Sequence, residues 1–127
     1  MKTILLAYND TESSNRALER AAELAGFYGA KVVVTSVVPV LVGGDAPPAT
    51  GPELERARDL LASRGIEPEL VEAVGDPPEA ILQVADARGA DLIVVGTREP
   101  SQVERLLGHS VSEAVQRMAH CDVLIVH

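Results

Sequence analysis

Lys31 to Val38, KVVVTSVV, carries valine at both odd and even positions, so neither face of an extended chain through it is polar. A strand with one wet face alternates apolar and polar residues. A run apolar on both faces is what a parallel sheet covered by helices requires. Three further stretches read the same way: Thr3 to Tyr8 (TILLAY), Asp91 to Val95 (DLIVV) and Asp122 to Val126 (DVLIV). Glu67 to Val74 (EPELVEAV) is more polar and reads as an edge strand.

Between these runs the apolar period lengthens to that of helices. Ser13 to Tyr28 places Leu18, Ala21, Ala22, Ala25 and Tyr28 on one stripe, with Gly29 as a stop. Thr50-Gly51-Pro52-Glu53 has capping-box spacing and opens a helix carrying Leu54, Ala57, Leu60 and Leu61. Asp76-Pro77-Pro78-Glu79 opens another, with Ala80, Ile81, Val84 and Ala85 inward and Gly89 at its end. Ser110-Val111-Ser112-Glu113 opens a fourth, with Ala114, Val115 and Met118. Pro39 to Thr50 (PVLVGGDAPPAT) reads as a long connecting loop.

The alternation predicts a doubly wound, Rossmann-like five-stranded parallel sheet in the order 3-2-1-4-5, with helices on both faces. The 127 residues, 46% of them hydrophobic, suffice for one core and are read as a single domain, 1–127. Aromatics are only 2%, so that core is built from Ala, Val, Leu and Ile.

A net charge of −8 repels phosphate backbones and anionic lipid, which argues against nucleic acid or membrane as the partner. No apolar run approaches the ~20 residues needed to span a bilayer. The single cysteine, Cys121, cannot pair within the chain, and a reducing, cytoplasmic setting is the simplest expectation.

In a sheet of this order the winding reverses between the first and fourth strands, where ligands of open α/β folds bind. Two loops converge there: Tyr8 to Ser13, and Gly96 to Ser101, which runs on through Leu106-Leu107-Gly108-His109 to the helix start at Ser110. Free N–H groups at such a helix start favour an anion.

The residues ILLAYNDTESSNRAL (4–18) resemble the first strand and turn of the universal stress protein family. VVGTREPSQVERLLGHSVSEAVQRMAHCDVLIVH (94–127) resembles its fourth strand, phosphate loop, last helix and last strand. Members that bind ATP share G-x2-G-x9-G-[ST]; counted from Gly96, the second glycine falls on Glu99 and the third on His109, while Ser110 is in register and Gly108 lies one residue early. A Glu99 carboxylate beside phosphate oxygens would repel them by roughly 1 to 4 kcal/mol unless Mg²⁺ or Arg98 intervenes, and His109 puts a Cβ where glycine permits close approach. The family's usual Asp-Gly-Ser after the first strand reads Asn9-Asp10-Thr11, which keeps a hydrogen-bonding side chain and loses the carboxylate.

The resemblance implies a regulatory stress-response module that takes an adenine nucleotide, ATP with Mg²⁺, in a homodimer paired through the last strand, Asp122 to His127. On that reading Asn9 and Val38 face adenine and ribose. Gly96, Gly108, Ser110 and Val111 hold the phosphates, and Thr97, Arg98 and His109 share their loop. The alternative is the same dimeric fold without nucleotide, acting through protein contacts. The apolar residues Val123 to Val126 on a sheet edge independently favour strand pairing.

Other chemistries find little support in the residues. His109 and His120 are ~15 Å apart along a helix, too far to share a metal. Asp10 and Glu12, at a helix start, read as caps and dipole partners rather than an acid–base pair. No nucleophile elbow or P-loop lysine motif occurs, so an enzyme is not expected.

Overall fold

The computed structural model describes residues 1–38, 51–97 and 111–127. Its elements follow the order β1 (Thr3–Ala7), α1 (Glu12–Tyr28), β2 (Lys31–Val38), α2 (Gly51–Ala62), β3 (Glu69–Val74), α3 (Pro77–Arg88), β4 (Leu92–Gly96), α4 (Val111–Met118) and β5 (Asp122–Val126). All strand pairings are parallel, and the sheet order is β3-β2-β1-β4-β5, as the alternation predicts.

The two-sided apolar runs now have a use. Ile4 and Leu6 of β1, with Val32, Val34, Leu92 and Val94, face α1 and α2. Leu5, Val33, Ile93 and Val95 face α3 and α4. Ile4, Leu5 and Leu6 are all fully buried because β1 is the central strand. Burial of such side chains contributes about 1.5–3 kcal/mol each. Helix α1 presents Ala17, Ala21, Ala22 and Ala25 to the sheet, and small residues let it lie close. Polar Glu69 and Glu72 on β3 fit its edge position, where Glu69 pairs with Arg88 at 2.9 Å.

Four helix-end expectations change. Tyr28 leaves the α1 stripe: it is 50% exposed and stacks edge-on against the exposed Phe27, ring centroids 5.0 Å apart. Met118, expected inward on α4, is also exposed. The cap of α1 is Thr11, whose hydroxyl accepts from Ser14 N–H while Ser14 Oγ accepts from Thr11 N–H; Asp10 does not cap, whereas Glu12 stands in the first turn as a dipole partner and also pairs with Arg16 at 3.6 Å. Asp76 sits at the α3 N-cap without a side-chain hydrogen bond. Pro77 and Pro78 lack N–H groups, so this helix start has fewer donors for a cap to satisfy. The boxes expected at Thr50 and Ser110 lie outside the described residues, as does the 39–50 connector. Among the described residues no helix is long and apolar enough to cross a membrane.

Candidate functional site

At the carboxyl ends of β1 and β4, where the winding reverses, a cleft of about 550 Å³ counted out to its open mouth lies on the α3/α4 side of the sheet. Strand alternation builds its floor. Ala7, Thr35, Val37 and Val95 share the parity of Leu5 and Val33, so they continue that face toward the carboxyl ends of their strands. Pro77 and Ile81, one turn apart on α3, form a wall, and Val111 and Ser112 of α4 form another. Asn9 and Ser14 close the side nearest α1. The result is a slot with aliphatic faces and a few hydroxyl and amide groups, the usual make-up of a site for a flat organic ligand.

The expected site residues divide into three groups. Asn9, Gly96 and Val111 line the cleft. Val38 does not: Val37 lines it instead, while Val38 is buried, its carbonyl accepting from Gly75 N–H. One residue of register reverses the face of a strand side chain. Thr97 lies just past β4, tied to β5 through its N–H and hydroxyl to Val126 O, with its Oγ1 3.4 Å from His127 Nδ1. Arg98, Glu99, Gly108, His109 and Ser110 lie outside the described residues. Thr35, Val37, Pro77, Ile81, Val95, Ser14 and Ser112 were not singled out from the sequence. Extending the period-two pattern of β2 and β4 to their carboxyl ends would have found three of them.

Gly96 has a local reason to be glycine. A Cβ there would lie 2.6 Å from Ser13 C, 2.7 Å from Ser13 O and 2.8 Å from Ser14 N, all backbone atoms of the first turn of α1. The absent side chain therefore lets α1 start directly over the end of β4, which brings Ser14 and Asn9 to the cleft.

The turn between β1 and α1 is held from behind. Asp10 adopts φ 53°, a left-handed conformation that asparagine and aspartate tolerate better than most residues. Its Oδ1 accepts from Arg56 Nε of α2 at 2.8 Å and lies 3.1 Å from the Tyr8 hydroxyl, which also meets Asn15 Oδ1 at 2.6 Å. Burial, reinforced by the Asp10 carboxylate, pushes the Tyr8 phenol up to about 12. Arg56 is held protonated still more firmly by Asp10. Ser36 donates to Glu53 at 2.5 Å, fastening the start of α2 to the end of β2. Asn9 thus projects from a turn whose backbone is fixed on both sides.

Among the described residues no group of three or more His, Cys, Asp or Glu is arranged to hold a metal ion. His120 Nδ1 lies 3.6 Å from Asp86 on the surface. The half-buried Cys121 thiol is pushed up by burial first and then by Asp122, which makes it a poor nucleophile.

A doubly wound parallel sheet with an apolar slot at its switch point is the architecture in which open α/β folds place their ligands. The profile of the Universal stress protein family matches residues 1–127, and the chain belongs to that family. A universal stress protein of Thermus aquaticus is 38% identical over 134 residues, covering 98% of each chain, and one of Mycobacterium tuberculosis is 34% identical over 99% of this chain and 96% of its own. A match to a universal stress protein of Bacillus subtilis is 40% identical over 73 residues, 58% of this chain and 49% of that one. Among solved structures, a universal stress protein in complex with cAMP is 28% identical, with a TM-score of 0.82, over 99% of this chain and 97% of that one. The Archaeoglobus fulgidus protein in complex with dAMP is 25% identical, with a TM-score of 0.75, over 100% and 98%.

Proposed function

We propose that the chain is a regulatory stress-response module that binds an adenine nucleotide in the β1/β4 cleft. The observation that carries this is the slot itself: Val37, Ile81, Val95 and Val111 give it aliphatic walls for a planar base, and Asn9 stands beside them as a polar anchor. Relatives with similar folds hold cAMP and dAMP, which supports adenine as the base. The described cleft carries amide, hydroxyl and aliphatic groups, a set suited to holding a planar organic ligand.

Further expectations accompany this reading. ATP with Mg²⁺ is the proposed occupant, with the phosphates toward residues 98–110, which continue the chain from the cleft's rim at Gly96. Any Mg²⁺ would be held chiefly by the nucleotide's own phosphate oxygens and water. Residues 1–127 act as one domain, and two copies pair through β5, where Val123 to Val126 are only partly buried on a strand whose described partner is β4 alone. A cytoplasmic setting fits the lone thiol.

The test is direct. Protein purified without added nucleotide is denatured and its supernatant analysed for ATP, ADP and AMP, and the intact protein is titrated calorimetrically with Mg-ATP and AMP. Retained nucleotide or saturable heat is expected. Neither, at millimolar ligand, would leave a dimeric protein-contact module as the better reading.

A further inference from the structure

We infer that Asn9 is a fixed hydrogen-bond donor to the ligand, so that the site selects a base with a ring-nitrogen lone pair facing it. The inference rests on the nucleotide reading above and concerns the polarity of one contact within it. An asparagine side chain carries a donor and an acceptor, and which one faces a ligand is normally open. Here the neighbouring hydroxyl decides.

Thr11 Oγ1 accepts from Ser14 N–H at 3.2 Å as the cap of α1, so its proton must find another partner. Asn9 Oδ1 lies 2.8 Å away, while the other hydroxyl neighbour, Ser13 Oγ, is at 3.5 Å, beyond a good O–H···O distance. Thr11 therefore donates to Asn9 Oδ1. That bond turns Oδ1 toward Thr11 and leaves the amide NH2 as the group Asn9 offers outward.

The capping arrangement reinforces the choice. Ser14 Oγ accepts from Thr11 N–H at 2.9 Å and donates to Thr11 O at 3.1 Å, which fixes the turn in which both residues sit. Turning the Asn9 amide over would set two N–H donors against the Thr11 hydroxyl proton. Two neighbouring hydroxyls of the cleft are already committed: Ser14 spends its proton on Thr11 O, and Thr35 Oγ1 donates to Val71 O at 2.8 Å. The slot thus presents Asn9 N–H2 at the edge of its aliphatic walls, where the rim of a planar base lies.

The experiment uses adenosine as the main probe, because it has no phosphate charge to confuse the result, with AMP in parallel. Affinities are measured for the unaltered chain, Asn9→Ala and Asn9→Asp, each checked for native circular dichroism. Asn9→Ala is expected to weaken adenosine about tenfold, the effect of one lost hydrogen bond to a desolvated partner. Asn9→Asp is expected to be weaker again, because the Thr11 hydroxyl takes one carboxylate oxygen and the other meets a lone pair. The 1-deaza, 3-deaza and 7-deaza adenosines locate that lone pair: one of them loses about tenfold on the unaltered chain and nothing further on Asn9→Ala.

Asn9→Asp binding adenosine within about twofold of the unaltered chain would overturn the inference, since an accepting Asn9 tolerates that change. Coupling to the 6-amino group, read with purine riboside, would overturn it equally, as would an Asn9→Ala protein of undiminished affinity. If the unaltered chain binds neither adenosine nor AMP, the nucleotide reading itself fails, an outcome distinct from those three.

Discussion

Replacing Gly96 with alanine tests whether the glycine at the end of β4 serves the fold before it serves any ligand. The new Cβ would meet Ser13 C, Ser13 O and Ser14 N at 2.6, 2.7 and 2.8 Å, where ordinary van der Waals contact begins near 3.4 Å. Backbone cannot rotate away as a side chain can, so α1 and β4 must separate by about 0.8 Å at this point. That separation disturbs the packing of Ala17, Leu18 and Ala21, all of them buried against the sheet. Overpacking of this kind costs about 1–3 kcal/mol, and the three simultaneous backbone contacts place Gly96→Ala near the top, at ~3 kcal/mol. A domain of ordinary stability, ~5–15 kcal/mol, would lose a sizeable share. Urea unfolding of nucleotide-free protein, followed by far-ultraviolet circular dichroism, measures it, and the melting temperature should fall by ~10 °C. Gly26→Ala is the control: this α1 glycine has nothing within 4 Å of a built Cβ, so alanine should stabilise by about 0.5–1 kcal/mol through helix propensity. If Gly96→Ala changes the stability of the nucleotide-free protein by less than ~0.5 kcal/mol while abolishing nucleotide binding, the argument from α1 is wrong and close approach of a ligand is the reason for the glycine.

The Tyr8 phenol titrates near 12 in the fold against an ordinary 10.0, so the folded state binds its proton more tightly. Stability from this source is complete below about pH 10 and is lost as pH rises toward 12. Thermal unfolding across that range should show the decline, and Tyr8→Phe should remove it together with the late phenolate absorbance. At Asp10, glycine and alanine both delete the carboxylate that meets Arg56 and Tyr8, but only alanine suffers at φ 53°. Asp10→Gly should be about 1 kcal/mol more stable than Asp10→Ala in urea; equal stabilities would mean that the turn relaxes when its side-chain contacts are gone.

Much of the molecule was legible in the order of its residues. Valine at both parities in KVVVTSVV, and the matching runs around Leu5, Ile93 and Leu124, required a sheet covered on both faces, and chain order with right-handed crossovers then set the strand sequence. Helix ends were less legible. Thr11-x-x-Ser14 is a cap that uses serine where a glutamate or glutamine is the familiar sign, and Tyr28 matched the apolar period yet falls at the last turn, beyond the sheet's cover.

The sequence by itself determined the fold class and pointed to the β1/β4 switch point, where the cleft lies, because periodicity and connectivity are local and topological properties. Tertiary structure alone decided which side chains face the cleft. Val37 rather than Val38, the partnership of Pro77 with Ile81, the use of Gly96 by α1 and the orientation imposed on Asn9 by Thr11 all depend on register and on contacts between distant elements. A residue's type carries its hydrogen-bonding capacity, and only its neighbours in space determine which half of that capacity remains for a ligand.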